Sequence, residues 1–354
     1  MAHRSNALPT DLLKGVSRSF YLTLRVLPAN IRDQIGLAYL LARTTDTIAD
    51  TQLLPVEQRL EALQMLRERI LGSNDKTLQF GQLALQQSSP AERDLIEQCE
   101  TNLALLRGLA PVDLELVRSV LVTITSGQEL DLRRFVAASG SGMVALRTDE
   151  ELDDYTYRVA GCVGEFWTRM CRAHVFPNAI LDDKLLLANS VRFGKGLQMV
   201  NILRDLAADL RLGRCYLPEE RLTAIGLVPA ELLQSANEPR VRPLLNAYIR
   251  ESEDHLRAGW MYTNALPWSS VRVRLACAWP ILIGLRTLRL MRDGNVLDPQ
   301  QRIKISRKEI RNCLWRSLLC YPWPAAWRGL VEEEKRSKGQ DQGSKDNKQV
   351  CQPK

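Results

Sequence analysis

The sequence predicts an all-α protein, a single bundle of roughly ten helices. Apolar residues recur at helical spacing along most of the chain, as at Leu60, Leu63 and Leu66. Strand-like alternation of apolar and polar residues is scarce. Most prolines fall between the periodic stretches, where one helix ends and the next begins. The prolines at these predicted boundaries are Pro28, Pro55, Pro90, Pro111, Pro177, Pro218, Pro229 and Pro243.

Helical periodicity continues along the chain almost to residue 331. Its clearest stretches are residues 35–40, 60–66, 103–106, 116–124, 185–191 and 197–203. Pro90 marks a helix start, because serines precede it and Glu92 and Asp94 follow in the first turn. From residue 332 to 354 the chain is polar, mixed in charge and without apolar periodicity. We therefore predict one domain over residues 1–331 and a disordered tail over residues 332–354.

Composition excludes several classes of protein. Of the 354 residues, 45% are hydrophobic and 25% charged, as in soluble globular proteins rather than disordered or fibrous ones. The longest apolar runs, residues 35–42 and 275–285, are shorter than the ~18 to 20 residues that span a bilayer, so we expect no transmembrane helix. The eight cysteines form no C-x-x-C pair and no signal peptide is visible, which favours reduced thiols in the cytoplasm. Three widely spaced histidines argue against a histidine-built metal site.

Two helical stretches carry acidic stripes. In the first, Tyr39, Arg43, Asp46 and Asp50 are spaced so that they line one face of a helix. The second stripe has the same geometry and consists of Gln198, Asn201, Asp205 and Asp209. Both stripes lie among apolar residues, although two like charges one helical turn apart repel each other.

A divalent cation is the natural group to offset this repulsion. Paired aspartates and an amide oxygen are hard ligands of the kind that Mg²⁺ prefers, and Mg²⁺ usually completes its shell with water and substrate phosphate. Cationic side chains near the stripes, among them Arg43, Arg204 and Arg214, suit phosphate oxygens. Asp149 and Asp153 have the same spacing but lie in a run of acids, so we interpret them as a solvated helix start. The two embedded stripes predict a metal-diphosphate site.

Four segments of the sequence are similar to the squalene/phytoene synthase family, in the same order along residues 10–310. They are VSRSF at 16–20, LARTTDTIAD at 41–50, DDYTYRVAGCVG at 153–164 and QMVNILRDLAADLRLGRCYLP at 198–218. This resemblance implies an isoprenoid-synthase helical bundle in which the two aspartate motifs face each other across a central apolar cavity. It also implies the condensation of two farnesyl diphosphates head to head.

Site roles follow from the resemblance, position by position. Asp46, Asp50, Asp205 and Asp209 are expected to bind Mg²⁺ and diphosphate, with Asn201 and Gln198 assisting. The diphosphate contacts that the resemblance implies are Ser17, Arg18, Arg43 and Arg214. Phe20 and Tyr39 are expected substrate contacts on another ground, because their ring faces could stabilise a carbocation. Tyr155 is similar to the motif tyrosine that assists the first half-reaction, and Asp131, in GQELDL, is a further candidate. The aromatic rings are equally consistent with simple core packing.

The product depends on whether a reductant is used. Lys304, Arg307 and Lys308 resemble the basic turn of squalene synthases and suit the 2′-phosphate of NADPH, although no G-x-G-x-x-G fingerprint occurs. We therefore expect NADPH-dependent reduction of the intermediate, presqualene diphosphate, to squalene. The alternatives are a dehydrosqualene or phytoene synthase, a presqualene diphosphate synthase, and a non-catalytic assembly factor of the same family, which would be expected to have lost aspartates.

A basic, tryptophan-rich segment precedes the tail. Residues 301–328 contain seven basic residues and one acid, and they include Trp315, Trp323 and Trp327. Such a segment is typical of a membrane interface, so we predict that residues 304–328 dock on anionic lipid. The alternative is a solvated basic helix whose tryptophans pack on the core. The net charge of +7 alone does not indicate nucleic-acid binding, because no recognisable module for it is present.

Overall fold

The described residues of the protein fold mainly into helices, which loops connect. The computed structural model describes residues 8–17, 20–136, 142–301 and 303–336. In the first half the α-helices are α1 (Thr10–Val16), α2 (Phe20–Val26), α3 (Ala29–Asp50), α4 (Val56–Leu71), α5 (Gly81–Leu85), α6 (Pro90–Glu97), α7 (Cys99–Arg107), α8 (Pro111–Arg134) and α9 (Asp149–Thr156). A π-helical turn, Tyr157–Gly161, joins α9 to the next helix.

The second half of the described chain adds seven α-helices. They are α10 (Cys162–His174), α11 (Asp183–Arg211), α12 (Glu219–Thr223), α13 (Glu238–Ala265), α14 (Val271–Asp293), α15 (Arg307–Cys320) and α16 (Pro324–Arg336), with 3₁₀ turns at Pro229–Leu233 and Ser235–Asn237. The described residues thus confirm the all-α prediction and contain more helices than the ten expected. The difference arises mainly from short helices such as α5, α6 and α7. Apolar residues at helical spacing do not show where one such short helix ends and the next begins.

Proline marks most helix starts as predicted. Pro90 and Pro111 are each the first residue of a helix, where the missing N–H needs no partner. Pro243 is an exception, because it lies inside α13. It is only the sixth residue of that helix, so its missing N–H removes a single backbone hydrogen bond close to the N-terminal end of α13.

Two clusters of buried side chains form the core. The first is built largely from α1 to α8 and α10, and the second from α11, α13, α14 and the C-terminal helices. The long helix α11 packs along α13 and also contacts α10 and α14, while α3 packs on α8. The helices that carry the two stripes, α3 and α11, therefore belong to different clusters.

Glycines allow α11 to lie unusually close to the preceding segment. A Cβ on Gly164 would lie 2.0 Å from the Ser190 carbonyl oxygen, and one on Gly194 would lie 2.2 Å from that of Ala160. Only residues without a side chain fit at such a contact. The glycines of the DDYTYRVAGCVG segment thus have a packing role, which fixes Tyr155 relative to α11.

A single short pair of parallel strands, β1 (Val144–Ala145) and β2 (Arg214–Cys215), is present in the described part of the chain. Gly213, with φ of +74°, makes the turn from α11 into β2. The pairing of Val144 with Arg214 therefore fixes the backbone of this arginine next to the end of α11.

The C-terminal boundary differs from the prediction. Helix α16 continues to Arg336, so the predicted tail start at residue 332 falls inside a helix. Glutamate, lysine and arginine are good helix formers, and an existing helix extends into them without apolar periodicity. Residues 337–354 lie outside the described residues. No described helix is both long and apolar enough to cross a membrane.

Candidate active site

A cavity of about 660 Å³ lies where α3 and α8 of the first cluster face α11 of the second. Its polar and charged lining residues are Tyr39, Arg43, Asp46, Asp50, Gln128, Asp131, Tyr155, Gln198, Asn201, Arg204, Asp205, Asp209, Arg214 and Tyr216. All eight members of the two stripes are among them. Two segments separated by about 150 residues of chain therefore face one space.

The α3 stripe faces the cavity because the opposite side of the helix is buried. Leu40, Leu41 and Ile48 are fully buried in the first cluster. On the cavity side, the Arg43 guanidinium pairs with Asp46, and its Nη2 lies 2.7 Å from Oε1 of Glu92 on α6. Arg43 is thus held between two carboxylates.

The α11 stripe is arranged in the same way. Leu203, Leu206 and Leu210 pack into the second cluster and turn the polar face toward the cavity. Arg204 Nε donates to Asp205 Oδ1 at 2.8 Å, and its Nη2 contacts Oδ2 of the same carboxylate. Such a bidentate ion pair fixes the orientation of both the guanidinium and the carboxylate.

The carboxyl groups on α3 are hard to ionise. The Asp46 side chain is 41% exposed to the cavity, yet the surrounding protein still limits its hydration. Burial, and secondly the charge of Asp50, raise the pKa of Asp46 to about 6, against the opposing effect of Arg43. Burial also raises the pKa of Asp50. The pair on this wall therefore resists carrying two charges.

Carboxyl groups on α11 and α8 have the same property. Burial, followed by the charge of Asp205, raises the pKa of Asp209 to about 7. Burial raises the pKa of Asp131, on α8, to about 6, although Arg214 and a hydrogen bond from Tyr216 oppose the shift. Burial thus disfavours the charged form of these carboxyl groups on both sides of the cavity.

Aromatic side chains line the cavity beside β2. The Tyr155 and Tyr216 rings stack with centroids 4.9 Å apart, and Phe135 meets Tyr216 edge-on at 5.3 Å. The Tyr216 hydroxyl donates to Asp131 Oδ2 at 2.9 Å. Burial raises the pKa of Tyr155 far above its ordinary value, so this phenol keeps its proton.

A second, apolar pocket adjoins the acidic cavity. Val159 and Val163 line both spaces, and the apolar pocket measures about 170 Å³. Its other walls are almost wholly apolar and include Trp167, Phe193 and Leu197. The combined space therefore has a charged end and an apolar end.

The donor set fits Mg²⁺. Gln128 Oε1 and Asp131 Oδ1 are buried in the cavity wall without a hydrogen-bond partner, which is costly for acceptors unless a cation or its water ligands approach them. Five carboxyls share the cavity with three arginines, and oxygen donors predominate. No three acid, cysteine or histidine side chains in the described ranges converge closely enough to enclose an ion. The carboxyls thus suit ions that keep water or substrate oxygens as further ligands.

Comparison with known proteins identifies the family. The sequence model of the squalene/phytoene synthase family matches residues 13–309. The chain belongs to this family.

Relatives of known name are distant. The chain is 27% identical over 292 residues to Botryococcus squalene synthase from Botryococcus braunii, which covers 79% of this chain and 56%, about half, of that protein. It is 28% identical over 242 residues to presqualene diphosphate synthase from Zymomonas mobilis, which covers 68% of this chain and 70% of that protein. The family and these relatives are prenyltransferase-type isoprenoid synthases.

Solved structures confirm the fold. A complex of TcSQS with the ligand BPH1237 superimposes with a TM-score of 0.74 at 22% identity, over 94% of this chain and 92% of that one. The protein therefore has the helical isoprenoid-synthase fold that the sequence motifs implied.

Some of the predicted substrate contacts do not line the acidic cavity. Ser17 is buried, and its hydroxyl donates to the Leu13 carbonyl at the end of α1. The hydroxyl proton is therefore already engaged by a backbone carbonyl of the helix end. Its neighbour Val16 is nevertheless near the cavity, because its carbonyl accepts from the Tyr39 hydroxyl at 3.2 Å. Arg18 and the Phe20 side chain lie outside the described residues.

The predicted NADPH residues also lie elsewhere. Lys304, Arg307 and Lys308 are exposed around the start of α15, and none of them lines the acidic cavity. Ser306 caps this helix in a reciprocal box with Glu309, which fixes the basic turn on the surface.

Sequence reasoning missed three residues that belong to the site or its rim. Tyr216 lies inside the segment 198–218, but no pattern in the sequence indicates that its ring stacks on Tyr155. Glu92 reaches Arg43 from α6 only through the tertiary fold. Arg59, on α4, is buried and lines a pocket of about 200 Å³ together with Arg214. Arg59 lies beside the cavity only because of how α4 packs in the fold, and the amino-acid sequence alone does not indicate that packing.

Proposed function

We propose that the protein condenses two molecules of farnesyl diphosphate head to head through presqualene diphosphate, and reduces this intermediate to squalene with NADPH. One observation carries the proposal: two aspartate stripes line the same cavity, which continues into an apolar pocket. The relatives named squalene synthase and presqualene diphosphate synthase support the same substrate class.

The charged end would bind the diphosphates. Asp46, Asp50, Asp205 and Asp209, with Asn201, would hold Mg²⁺, which when bound stabilises the negative charge of the leaving diphosphate. Arg43, Arg204 and Arg214 line the same cavity and would donate hydrogen bonds to phosphate oxygens. At an effective dielectric of about 20, one unit charge about 4 Å from another contributes about 4 kcal/mol, so a few such groups reach the scale of enzymatic rate enhancement.

The apolar end would hold the prenyl chains. Breaking an allylic carbon–oxygen bond leaves a carbocation, which water would quench. The pocket around Val159 and Val163 presents an almost wholly apolar surface and would therefore keep the reacting carbons dry.

Tyr155 lines the charged end and would act on the departing diphosphate there. Because its phenol keeps its proton, it can donate a hydrogen bond to a diphosphate oxygen during departure. Its ring, stacked on Tyr216, also presents a π-face, which stabilises a nearby cation by about 1 to 2 kcal/mol.

The reductive step would use the basic turn before α15. Lys304, Arg307 and Lys308 would bind the 2′-phosphate of NADPH. A second candidate function is release of presqualene diphosphate, or of dehydrosqualene or phytoene, without reduction. It is favoured by the position of these three residues outside the acidic cavity.

Product analysis tests the proposal. The full chain is incubated with farnesyl diphosphate and Mg²⁺, with and without NADPH, and the hydrocarbons and diphosphates are identified by mass spectrometry. We expect squalene only with NADPH. The same product under both conditions would replace the proposal by the second candidate, and no condensation product under either condition would overturn it.

A variant of the basic turn sharpens the reductive part. Replacing Lys304, Arg307 and Lys308 by Gln is expected to raise the KM for NADPH while presqualene diphosphate still forms. An unchanged KM would remove these residues from the assignment.

A further inference from the structure

An arginine-rich groove lies on the outside of the bundle, between α2, α14 and α15. It has a volume of about 440 Å³, and four arginines and two tryptophans contribute to its lining. These six residues are Arg25, Arg32, Arg272, Trp279, Arg311 and Trp315. None of them belongs to the acidic cavity.

The arginines of this groove carry uncompensated charge. Within the described ranges, none of the four pairs with a carboxylate, and Arg25, Arg272 and Arg311 are exposed. Arg32 donates to the Leu27 carbonyl at 2.6 Å, and its Nε is buried without a partner. Four like charges around one concavity repel each other, and an anion would relieve that repulsion.

Large apolar side chains project beside the groove. Trp315 is 66% exposed, and Leu318 and Leu319, one turn further along the same face of α15, are 43% and 64% exposed. Trp323, in the turn after α15, is 64% exposed. By contrast, Trp327 is fully buried and stacks on Trp260.

The tryptophans of the basic segment therefore divide into two groups. The core-packing interpretation is correct for Trp327 and wrong for Trp315 and Trp323. Exposed indole rings next to unpaired guanidinium groups match a surface with apolar and anionic layers a few ångströms apart. A soluble anion would use the arginines and leave the indoles and leucines in water.

We propose that this face, defined by Arg25, Arg272, Arg311, Trp315, Leu318, Leu319 and Trp323, docks on an anionic phospholipid membrane. The arginines bind lipid phosphates, and the tryptophans and leucines enter the boundary between headgroups and acyl chains. This surface differs from the segment 304–328 predicted from the sequence. It adds Arg25 of α2 and Arg272 of α14, and it leaves out the buried Trp327.

Docking at this face would bring lipid close to the apolar pocket. Leu22 and Trp279 of the groove are sequence neighbours of Thr23 and Pro280, which line that pocket from the same helices. If the proposed function holds, a hydrocarbon product would leave the pocket across only one layer of helices. The docking itself does not depend on the reaction.

Vesicle flotation of the full chain without substrate tests the docking. Vesicles of phosphatidylcholine alone are compared with vesicles that contain 30% phosphatidylglycerol, at low and physiological salt. We expect at least about tenfold stronger partition to the anionic vesicles, reduced at the higher salt. No binding at low salt, or equal binding to both vesicle types, would overturn the proposal.

Variants locate the surface. Replacing Arg25, Arg272 and Arg311 by Gln, or Trp315 and Trp323 by Ser, is expected to reduce partition about tenfold or more. The charge-matched control replaces the exposed arginines Arg93, Arg107 and Arg250 by Gln and should bind within about twofold of the wild type. Equal losses in both arginine triples would mean that net charge, not this face, binds the membrane.

Tryptophan fluorescence separates lipid from a soluble phosphate. Anionic vesicles should shift the emission to shorter wavelengths, and the shift should disappear in the variant with Trp315 and Trp323 replaced by Ser. The same shift with inorganic phosphate alone would indicate a soluble anion and contradict the membrane assignment.

Discussion

Two aspartate pairs in this chain have identical spacing and different surroundings. Asp149 and Asp153, at the start of α9, each have a partner: the Tyr248 hydroxyl donates to Asp149 at 2.6 Å, and Lys195 Nζ lies 2.6 Å from Asp153. Arg221 also pairs with Asp149 at 2.7 Å. The negative charge of each of these two carboxylates is therefore offset by a basic side chain of its own.

The pair on α3 is not compensated in this way. Asp46 pairs with Arg43, while Asp50 has no ion-pair partner within 4.0 Å among the described residues. Across the cavity, Asp205 pairs with Arg204, and Asp209 likewise has no such partner in the described ranges. The comparison shows that the same spacing can place carboxyl groups in compensated or in uncompensated surroundings. Only the uncompensated carboxyl groups, confined in one cavity, leave a negative charge for a cation to offset.

The largest expected effect is on turnover. Asp46→Asn or Asp205→Asn should lower kcat/KM at least about 100-fold, because each removes a charge that would hold Mg²⁺ and the leaving diphosphate. Asp153→Asn, the matched change on α9, should stay within about twofold. Steady-state release of diphosphate measures both, and circular dichroism checks that the helices are intact. Near-wild-type turnover in both cavity variants would contradict the site assignment.

A change in the opposite direction is expected for stability. Asp209→Asn should raise the melting temperature of the Mg²⁺-free protein by about 2 to 4 °C, because it removes a carboxyl group that resists ionisation in the cavity. Asp153→Asn loses its pair with Lys195 and should not stabilise the protein. Thermal unfolding in the presence of a chelator measures both variants. A lower melting temperature for Asp209→Asn would mean that the cavity already neutralises this group.

The pH dependence of stability follows from the same groups. Folding raises the pKa of Asp46 and Asp131 to about 6 and that of Asp209 to about 7. The folded state then binds more protons than the unfolded state between about pH 4 and 7, so stability contributed by these groups is present at low pH and is lost as pH rises through that window.

Melting temperatures across that window, with and without Mg²⁺ and inorganic pyrophosphate, check this prediction. We expect the metal-free protein to lose stability as the pH rises, and the ligands to stabilise it more at pH 7.5 than at pH 5. Equal stabilisation at both pH values would argue that the cavity carboxyls do not bind the metal.

The smallest expected effect concerns Glu92, a positioning residue for Arg43. Glu92→Gln should raise the KM for the prenyl diphosphate up to about fivefold with little change in kcat, because a partly exposed ion pair contributes about 1 kcal/mol. Glu97→Gln, an exposed change on the same helix α6, is the matched control. A fall in kcat without a change in KM would assign Glu92 a different role.

The sequence predicted the fold class and both stripes, because helical periodicity places Asp46 beside Asp50, and Asp205 beside Asp209, by local geometry. It did not predict partners that only packing brings together, such as Glu92 with Arg43. It did not separate the buried Trp327 from the exposed Trp315 either, because both lie in the same basic, aromatic context. Local patterns fix which residues share a helix face, and the neighbours of that face depend on the whole fold.

Metal location in a substrate complex tests the central claim most directly. Crystals grown with Mn²⁺ in place of Mg²⁺ and with the slowly reacting analogue farnesyl thiodiphosphate would show the ions by anomalous scattering. We predict Mn²⁺ bound to carboxylates of both α3 and α11, with the diphosphate oxygens between them. Ions on one helix only, or a diphosphate bound outside the cavity, would contradict the account.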